Sequence, residues 1–336
     1  MKKILLITTG GTIASVPENG GLTPKSAGAC LLDLVPELNG LCEIHVKELF
    51  CLDSSNIQPE HWITMAESVF RALSVFDGIV ITHGTDTMAY SAGALSFMLQ
   101  NLKKPVILTG SQLPMEAPDT DGKQNLRDAF LAACDSRLAG VYIVFDRLII
   151  HGCHAVKTSS RDFRAFESLG RAPEGRIRDG RVVLDRSPAV PPAVSSAGAF
   201  TLNACLDPNV FLLKLCPGIS PALLESLPSL GAKAVLIEAF GLGGIPGLDR
   251  SLLPAVRNLT ARNIPVLITT QCLKGGADMS VYEVGIRAME AGARCAGSIT
   301  TEAAVTKLMW ILGQTGEPDK IYSIFFRDFV GEFAKI

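Results

Sequence analysis

Gly78-Ile79-Val80-Ile81-Thr82-His83-Gly84-Thr85-Asp86-Thr87-Met88 reads as a strand that stops at a polar turn, and Ala89–Gln100 after it carries a helical pattern. A short, unbroken aliphatic run suits a strand buried on both faces, as a parallel sheet covered by helices requires. The same arrangement recurs outward from this stretch. Lys3–Thr8, Ile44–Leu49, Val106–Thr109 and Val141–Phe145 are further strand candidates, separated by helical patterns at Gln58–Val75 and Gly122–Cys134. Gln58-Pro59-Glu60 has proline in the first turn with an acid beside it, a helix-start signal. The alternation predicts an α/β fold with a larger N-terminal doubly wound domain built on a mostly parallel sheet.

A chain of 336 residues exceeds what one typical core holds, so two domains are expected. The segment from Asp185 to Asp207 changes character, with Pro188, Pro191 and Pro192 followed by Ser195-Ser196-Ala197-Gly198-Ala199. It reads as a linker. The division is therefore 1–185, an N-terminal catalytic domain; 186–208, the linker; and 209–336, a smaller C-terminal α/β domain. The last has strands near Val210–Leu215, Ala234–Ala239 and Pro265–Thr269, and helices near Arg250–Arg262, Tyr282–Ala291 and Thr301–Leu312.

Composition excludes several classes of function. Hydrophobic residues make up 48%, with 31 Gly and 19 Pro, a globular balance with many turns. The net charge is −2 and no Lys/Arg-rich run occurs, which argues against a nucleic-acid or anionic-membrane partner. The 9 cysteines include no C-x-x-C pair, so a cysteine zinc site is not expected, and scattered thiols suit a reducing compartment. Met1-Lys2-Lys3 before Ile4-Leu5-Leu6-Ile7 imitates a signal peptide, but the apolar stretch is short and runs into Thr8-Thr9-Gly10-Gly11, as a buried first strand does. No apolar run approaches the ~20 residues of a membrane helix. The expected location is cytoplasmic.

In doubly wound folds, ligands gather at the carboxyl ends of the parallel strands. The first strand ends in Gly10-Gly11-Thr12-Ile13-Ala14-Ser15. Paired glycines allow a sharp turn and a close approach of ligand to main chain, or the stretch is a tight turn whose hydroxyl bonds its own backbone. At the second strand end, Thr85 and Asp86 fall where a helix begins, a place that favours a carboxylate or oxyanion ligand. A helix cap would account for Asp86 alone. It would not account for His83, Gly84, Thr85, Asp86 and Thr87 together.

Thr9-Gly10-Gly11-Thr12-Ile13-Ala14 and His83-Gly84-Thr85-Asp86-Thr87-Met88 resemble, in order and separation, the two signature motifs of the bacterial-type L-asparaginases, the asparaginase/glutaminase family. Asp53-Ser54-Ser55, Thr109-Gly110-Ser111-Gln112, Thr270-Gln271-Cys272 and Thr301-Glu302-Ala303 resemble the type I, cytosolic members, so the likeness spans nearly the whole chain. The resemblance implies hydrolysis of L-asparagine to L-aspartate and ammonia with no metal and no cofactor. It implies Thr12 as a nucleophile forming an acyl-enzyme ester, with Thr85, Asp86 and Lys157 as a second catalytic group. A threonine hydroxyl needs a positioned base at neutral pH, and a buried lysine steered by a carboxylate can be one. The resemblance further implies Asp86 for the substrate α-amino group, Ser54 and Ser55 with the backbone of Asp53 for the α-carboxylate, and the Ser111 carbonyl for the leaving amide. It also implies a homodimer or homotetramer.

The sequence departs from the family pattern in two places. Many members carry a tyrosine in the segment after the first motif; here Val16–Pro24 has Leu22 at that position. The proton of Thr12 could then pass to water, to a tyrosine from elsewhere such as Tyr282, or to the Thr85–Asp86–Lys157 group. The Gly20-Gly21 pair suits either a mobile lid or a plain surface loop. Glu238 stands where some type I members carry an arginine for an allosteric asparagine, and a negative charge there would repel the effector carboxylate. Gly241-Leu242-Gly243-Gly244-Ile245-Pro246-Gly247 imitates a dinucleotide loop, but no helix opens directly after it. His83 is expected to orient its loop, and His151 and His154 to be too isolated for a metal. Two alternatives remain within this fold: a dual asparaginase/glutaminase or aminoacyl-tRNA amidotransferase-like protein, and an amino-acid-binding protein with impaired chemistry. The amidotransferase proteins normally carry an extra N-terminal domain, and this chain is read as starting at its first motif strand.

Overall fold

The computed structural model describes residues 1–18, 21–24, 28–185 and 198–334. Contacts divide the chain into two units, Met1–Ala204 and Cys205–Ile336. Asn19 and Gly20 of the expected lid and residues 186–197 of the expected linker lie outside the described residues.

The first unit is built on an eight-stranded sheet. Its spatial order is Arg181–Leu184, Gly175–Arg178, Leu148–His151, Gly140–Phe145, Pro105–Thr109, Gly78–Thr82, Lys3–Gly10 and Glu43–Leu52. The five strands from Gly140–Phe145 to Glu43–Leu52 run parallel, and the other three are antiparallel additions. Alternating side chains explain why the parallel strands are continuously apolar. Ile4, Leu6, Val80, Ile107 and Val144 face one core with Leu126, Ala129 and Phe130 of the helix Gly122–Ala133. Leu5, Ile7, Ile79, Ile81 and Val106 point the other way and are also buried.

Two elements differ from the sequence reading. The helix expected to reach Gln100 spans Met88–Met98, and Leu99–Gln100 pairs instead with Thr201–Leu202, a strand inside the stretch read as linker. The antiparallel strands beyond Phe145 were not anticipated. They are short, and Arg178 and Arg181 interrupt the apolar alternation that would have marked them.

The second unit has a parallel four-stranded sheet ordered Val210–Lys214, Ala234–Ala239, Val266–Thr270 and Arg294–Cys295. Its last long helix, Thr301–Leu312, begins at Thr300, whose hydroxyl accepts the Ala303 N–H at 3.2 Å. That helix buries a lysine completely. Lys307 Nζ donates to Glu332 Oε1 at 2.5 Å, to the Phe325 carbonyl at 2.6 Å and to the Arg327 carbonyl at 2.7 Å. The rings of Phe325, Phe329 and Phe333 lie 5.4, 5.3 and 4.7 Å from the same nitrogen. The cation thus fastens the C-terminal segment to the helix. Lys307→Met would leave the Glu332 charge buried without its cation, and removing one partner of such a pair costs about 3–5 kcal/mol. Urea unfolding of this variant is expected to show a loss of that size; a change below about 1 kcal/mol would remove the assigned anchoring role. Among the described residues no helix is long and apolar enough to cross a membrane.

Candidate active site

The site begins with two backbones pressed together. The first strand ends at Gly10 and Gly11, with φ of 100° and 81°, and a short 3-10 turn, Thr12–Ala14, follows. A Cβ on Gly11 would lie 2.4 Å from the Gly84 nitrogen, and one on Gly10 would lie 2.4 Å from the Leu52 carbonyl oxygen. Only glycine tolerates both the left-handed backbone and that approach. Each glycine of the contacting pair, Gly11 and Gly84, is followed by a threonine, so the fold brings the Thr12 and Thr85 turns side by side at neighbouring strand ends.

A third loop braces the second turn. Ser54 is buried, its Oγ accepts the Asp86 N–H at 3.3 Å, and its carbonyl accepts the Thr87 hydroxyl at 2.8 Å. A Cβ on Gly84 would meet Ser54 Oγ at 2.6 Å. Asp53 is exposed and caps the next short turn, its Oδ1 accepting the Ser55 N–H at 2.8 Å; Ser55 is exposed. Ser54 therefore locks the loops together, while Asp53 and Ser55 stand at the surface.

His83 lies beneath. The Gly84 carbonyl can only accept, so Nδ1 carries the proton it shares at 2.7 Å. Nε2 then accepts from the Ser91 hydroxyl at 2.9 Å, and Ser91 Oγ accepts the Trp62 Nε1–H at 2.9 Å. Burial pulls the ring's pKa down to about 4, so it is neutral at ordinary pH. This chain of bonds fixes one tautomer and holds the loop.

The helix after this turn starts at Met88 with Thr87 at its N-cap and no side-chain cap bond. Asp86 is thus not the cap. Its carboxylate turns to Lys157, which the short hairpin Ala155–Lys157 with Phe166–Ser168 delivers, Lys157 pairing with Phe166. Lys157 Nζ donates to Thr85 Oγ1 at 2.7 Å and to Asp86 Oδ1 at 2.6 Å. The Thr85 hydroxyl is buried, and the Asp86 side chain is 59% exposed, leaving Oδ2 reachable from outside.

Asp121 and Asn125 are structural partners that the sequence reading did not single out, and Gln112, quoted there only within its motif, acts with them. The Thr85 hydroxyl donates to Gln112 Oε1 at 3.3 Å. Asp121 accepts the Gln112 N–H at 2.9 and 3.0 Å and the Leu113 N–H at 3.1 Å, and Asn125 Nδ2 donates to it at 3.0 Å. Burial pushes the Asp121 carboxyl up, against the pull of these donors. Asp121 thus holds the Ser111–Leu113 loop just before the helix Gly122–Ala133. Ser111 is buried, its hydroxyl donating to the Leu113 carbonyl.

Leu22 is 52% exposed, opposite Pro17 in a two-stranded ribbon. Glu238 accepts from Thr301 Oγ1 at 2.8 Å and lies 3.8 Å from Lys214 Nζ. Burial first, and the Glu238 charge after it, push the neighbouring Glu302 up to about 7. The glycine-rich stretch after Ala239 closes on itself, with Phe240 N–H donating to the Gly244 carbonyl at 3.1 Å. Among the described residues no group of three or more His, Cys, Asp or Glu is placed to hold a metal ion.

Comparison with known proteins gives this geometry its family. The N-terminal asparaginase family model matches residues 3–190, and the glutaminase/asparaginase C-terminal domain model matches residues 209–325. The chain belongs to the asparaginase family. As a member it is an amidohydrolase. It is 40% identical to an L-asparaginase of Thermococcus kodakarensis over 99% of both chains. It is 35% identical to one component of the glutamyl-tRNA(Gln) amidotransferase of Sulfurisphaera tokodaii, over 98% of this chain and 75% of that one. Among solved structures, the thermostable L-asparaginase from Thermococcus kodakarensis superposes with a TM-score of 0.92 at 40% identity, covering 99% of this chain and 100% of that one. L-asparaginase I from Vibrio cholerae gives 0.84 at 28% identity, covering 99% of each. These neighbours share the two-domain α/β architecture described above.

Proposed function

We propose that the chain is an L-asparaginase that hydrolyses L-asparagine to L-aspartate and ammonia through an ester on Thr12. The observation that carries this reading is the double hold of Lys157 on Thr85 and Asp86, beside the Gly11–Gly84 contact that presents Thr12. Thr12 Oγ attacks the side-chain amide carbon. Its proton passes through the Thr85 hydroxyl to Lys157 Nζ, a transfer in which the lysine enters as the amine and becomes the ammonium beside Asp86, since Leu22 has no ionisable atom to receive it. The C–N bond breaks and the amide nitrogen leaves with that proton as ammonia. Water then attacks the ester carbon, the Oγ–C bond breaks, and Thr12 regains a proton. Asp86 Oδ2 would bind the α-ammonium, Ser54 and Ser55 with the backbone of Asp53 the α-carboxylate, and the Ser111 carbonyl the leaving amide. No step calls on a metal or cofactor.

Discrimination against glutamine turns on one methylene, worth about 1–3 kcal/mol in a pocket. The 35% identity to an amidotransferase component supports a second reading, amide hydrolysis serving glutamyl-tRNA(Gln) amidation. Ammonia release by the purified chain, with free asparagine and free glutamine in separate assays, decides. Release mainly from asparagine is the expected result, and none from either would overturn both hydrolytic readings. The free thiols of the described cysteines suit a cytoplasmic setting. A homodimer or homotetramer is part of the same reading: Leu248, Val281, Tyr282 and Val284 are exposed, the last two around a hollow also lined by Phe240, Leu242 and Ile245.

A further inference from the structure

The turn Asp146-Arg147 joins the antiparallel strands Gly140–Phe145 and Leu148–His151, and both of its residues are left-handed, with φ of 44° and 64°. Hairpins of this kind ordinarily place Asn or Asp before Gly. The neighbouring hairpin does so, with Asp179-Gly180 at φ of 48° and 69°. An arginine in the second position is strained, and strain of this kind directs attention to what the side chain does. Asp146 has its own compensation: its N–H donates to Asn125 Oδ1 at 3.0 Å, and its carboxylate accepts from Arg164 Nε at 3.2 Å. The Arg147 carbonyl accepts the Ile177 N–H at 2.8 Å, but its exposed guanidinium makes no hydrogen bond or ion pair among the described residues.

A second guanidinium stands near it. Arg127, on the helix Gly122–Ala133, is half-buried and packs against Gly180, where a Cβ would lie 3.2 Å from its Nη2. Arg127 likewise makes no hydrogen bond or ion pair among the described residues. Between the two arginines is a hollow of about 200 Å³, floored by Ile177 and lined by Gln124, Asp179 and Gly180. Beside it, Asp128 is fully buried; its Oδ1 accepts from Gln124 Nε2 at 2.6 Å, and its Oδ2 has no hydrogen-bond partner among the described residues. Both arginine charges favour the ionised form of that carboxyl, and the Asp146 carboxylate opposes it. The buried Asp128 charge answers part of theirs, but neither guanidinium is engaged by a hydrogen bond or ion pair among the described residues, and a pair of free guanidinium forks matches the oxygens of phosphate or carboxylate. Asp179 is the opposing charge among the lining residues, and it stands in water at the rim, where screening is strongest.

We propose that this hollow is an oxyanion site, separate from the amide-hydrolysing centre, that takes a phosphate or a dicarboxylate between Arg127 and Arg147. It does not depend on the asparaginase reading. It is nevertheless wired to that centre: the Asp146-Arg147 turn bonds Asn125, whose Nδ2 donates to the Gly110 carbonyl at 3.0 Å and to Asp121, the acid that holds Gln112. Thermal unfolding of the full chain tests it, in inorganic phosphate and, separately, in succinate, each against sodium chloride of equal ionic strength. Wild type is expected to gain about 2 °C in one of these anions at concentrations well above the dissociation constant. Phosphate alone acting identifies a phosphate site; succinate alone identifies a dicarboxylate site. Arg147→Gly relieves the backbone strain, so without added anion it should unfold no earlier than wild type, yet it should lose the anion-dependent gain, as should Arg127→Gln. No gain in wild type over chloride, or an equal gain in both variants, overturns the proposal.

Discussion

Thr12→Ala is expected to abolish ammonia release from asparagine, by a factor of at least about 10⁴ in kcat, because an enzyme stripped of its nucleophile keeps only binding and electrostatic contributions. The fold should not notice. Thr12 is half-buried, whereas the neighbours that anchor the turn, Ile13 and Ala14, are buried and untouched. The backbone that shapes the turn belongs to Gly10 and Gly11, and the Gly11 N–H still donates to the Leu52 carbonyl at 2.9 Å. The stability change should therefore stay within about 1 kcal/mol. Thr12→Ser, which keeps an attacking oxygen, should recover part of the rate. The decisive comparison is kcat of the three proteins at matched thermal stability. If the alanine variant retained more than about a hundredth of the wild-type kcat, the ester on Thr12 would have to be given up, although amide hydrolysis by another route would not.

The legible parts of this chain were those with a single physical cause. Ile79-Val80-Ile81 is apolar throughout because both faces of a central parallel strand are covered, and the structure buries all three completely. The adjacent glycines pointed to a sharp turn with room for a ligand beside the main chain; at Gly11 the structure fills that room with the backbone of Gly84 instead. Lys157 is a different matter. Nothing local marks it, because its role depends on a hairpin that brings it to residues distant in sequence, and only likeness to a family drew attention to it. Asp121 went unread for another reason: an acid ahead of a helix has two uses, and periodicity cannot tell a cap from a brace for the loop before it. Arg147 and Lys307 were illegible for one reason. An arginine in a turn and a lysine in a helix are ordinary in sequence, and only the fold shows the first strained and without an ion-pair partner and the second sealed among three phenylalanines.

Lys157→Met is expected to lower kcat about 10³-fold, the range that a positioned acid–base group supplies, with a smaller effect on KM. Two contacts vanish together, the one to Thr85 Oγ1 and the one to Asp86 Oδ1. The Thr85 hydroxyl can still donate to Gln112 Oε1, so its orientation survives while its link to a proton carrier does not. Asp86 keeps its charge and its exposed position, so a substrate ammonium can still pair with it. The fold should tolerate the change, because an ion pair whose acidic side chain is 59% exposed contributes only about 0–1 kcal/mol. A loss of rate would also follow if Lys157 served only as a fixed positive charge beside the reacting amide. Lys157→Arg separates the two roles. Arginine restores a permanent cation near Asp86 but does not give up a proton in a protein. Recovery to within about tenfold of wild type would make Lys157 an electrostatic post, whereas an arginine variant as slow as the methionine one would identify the proton as what the reaction needs from this residue.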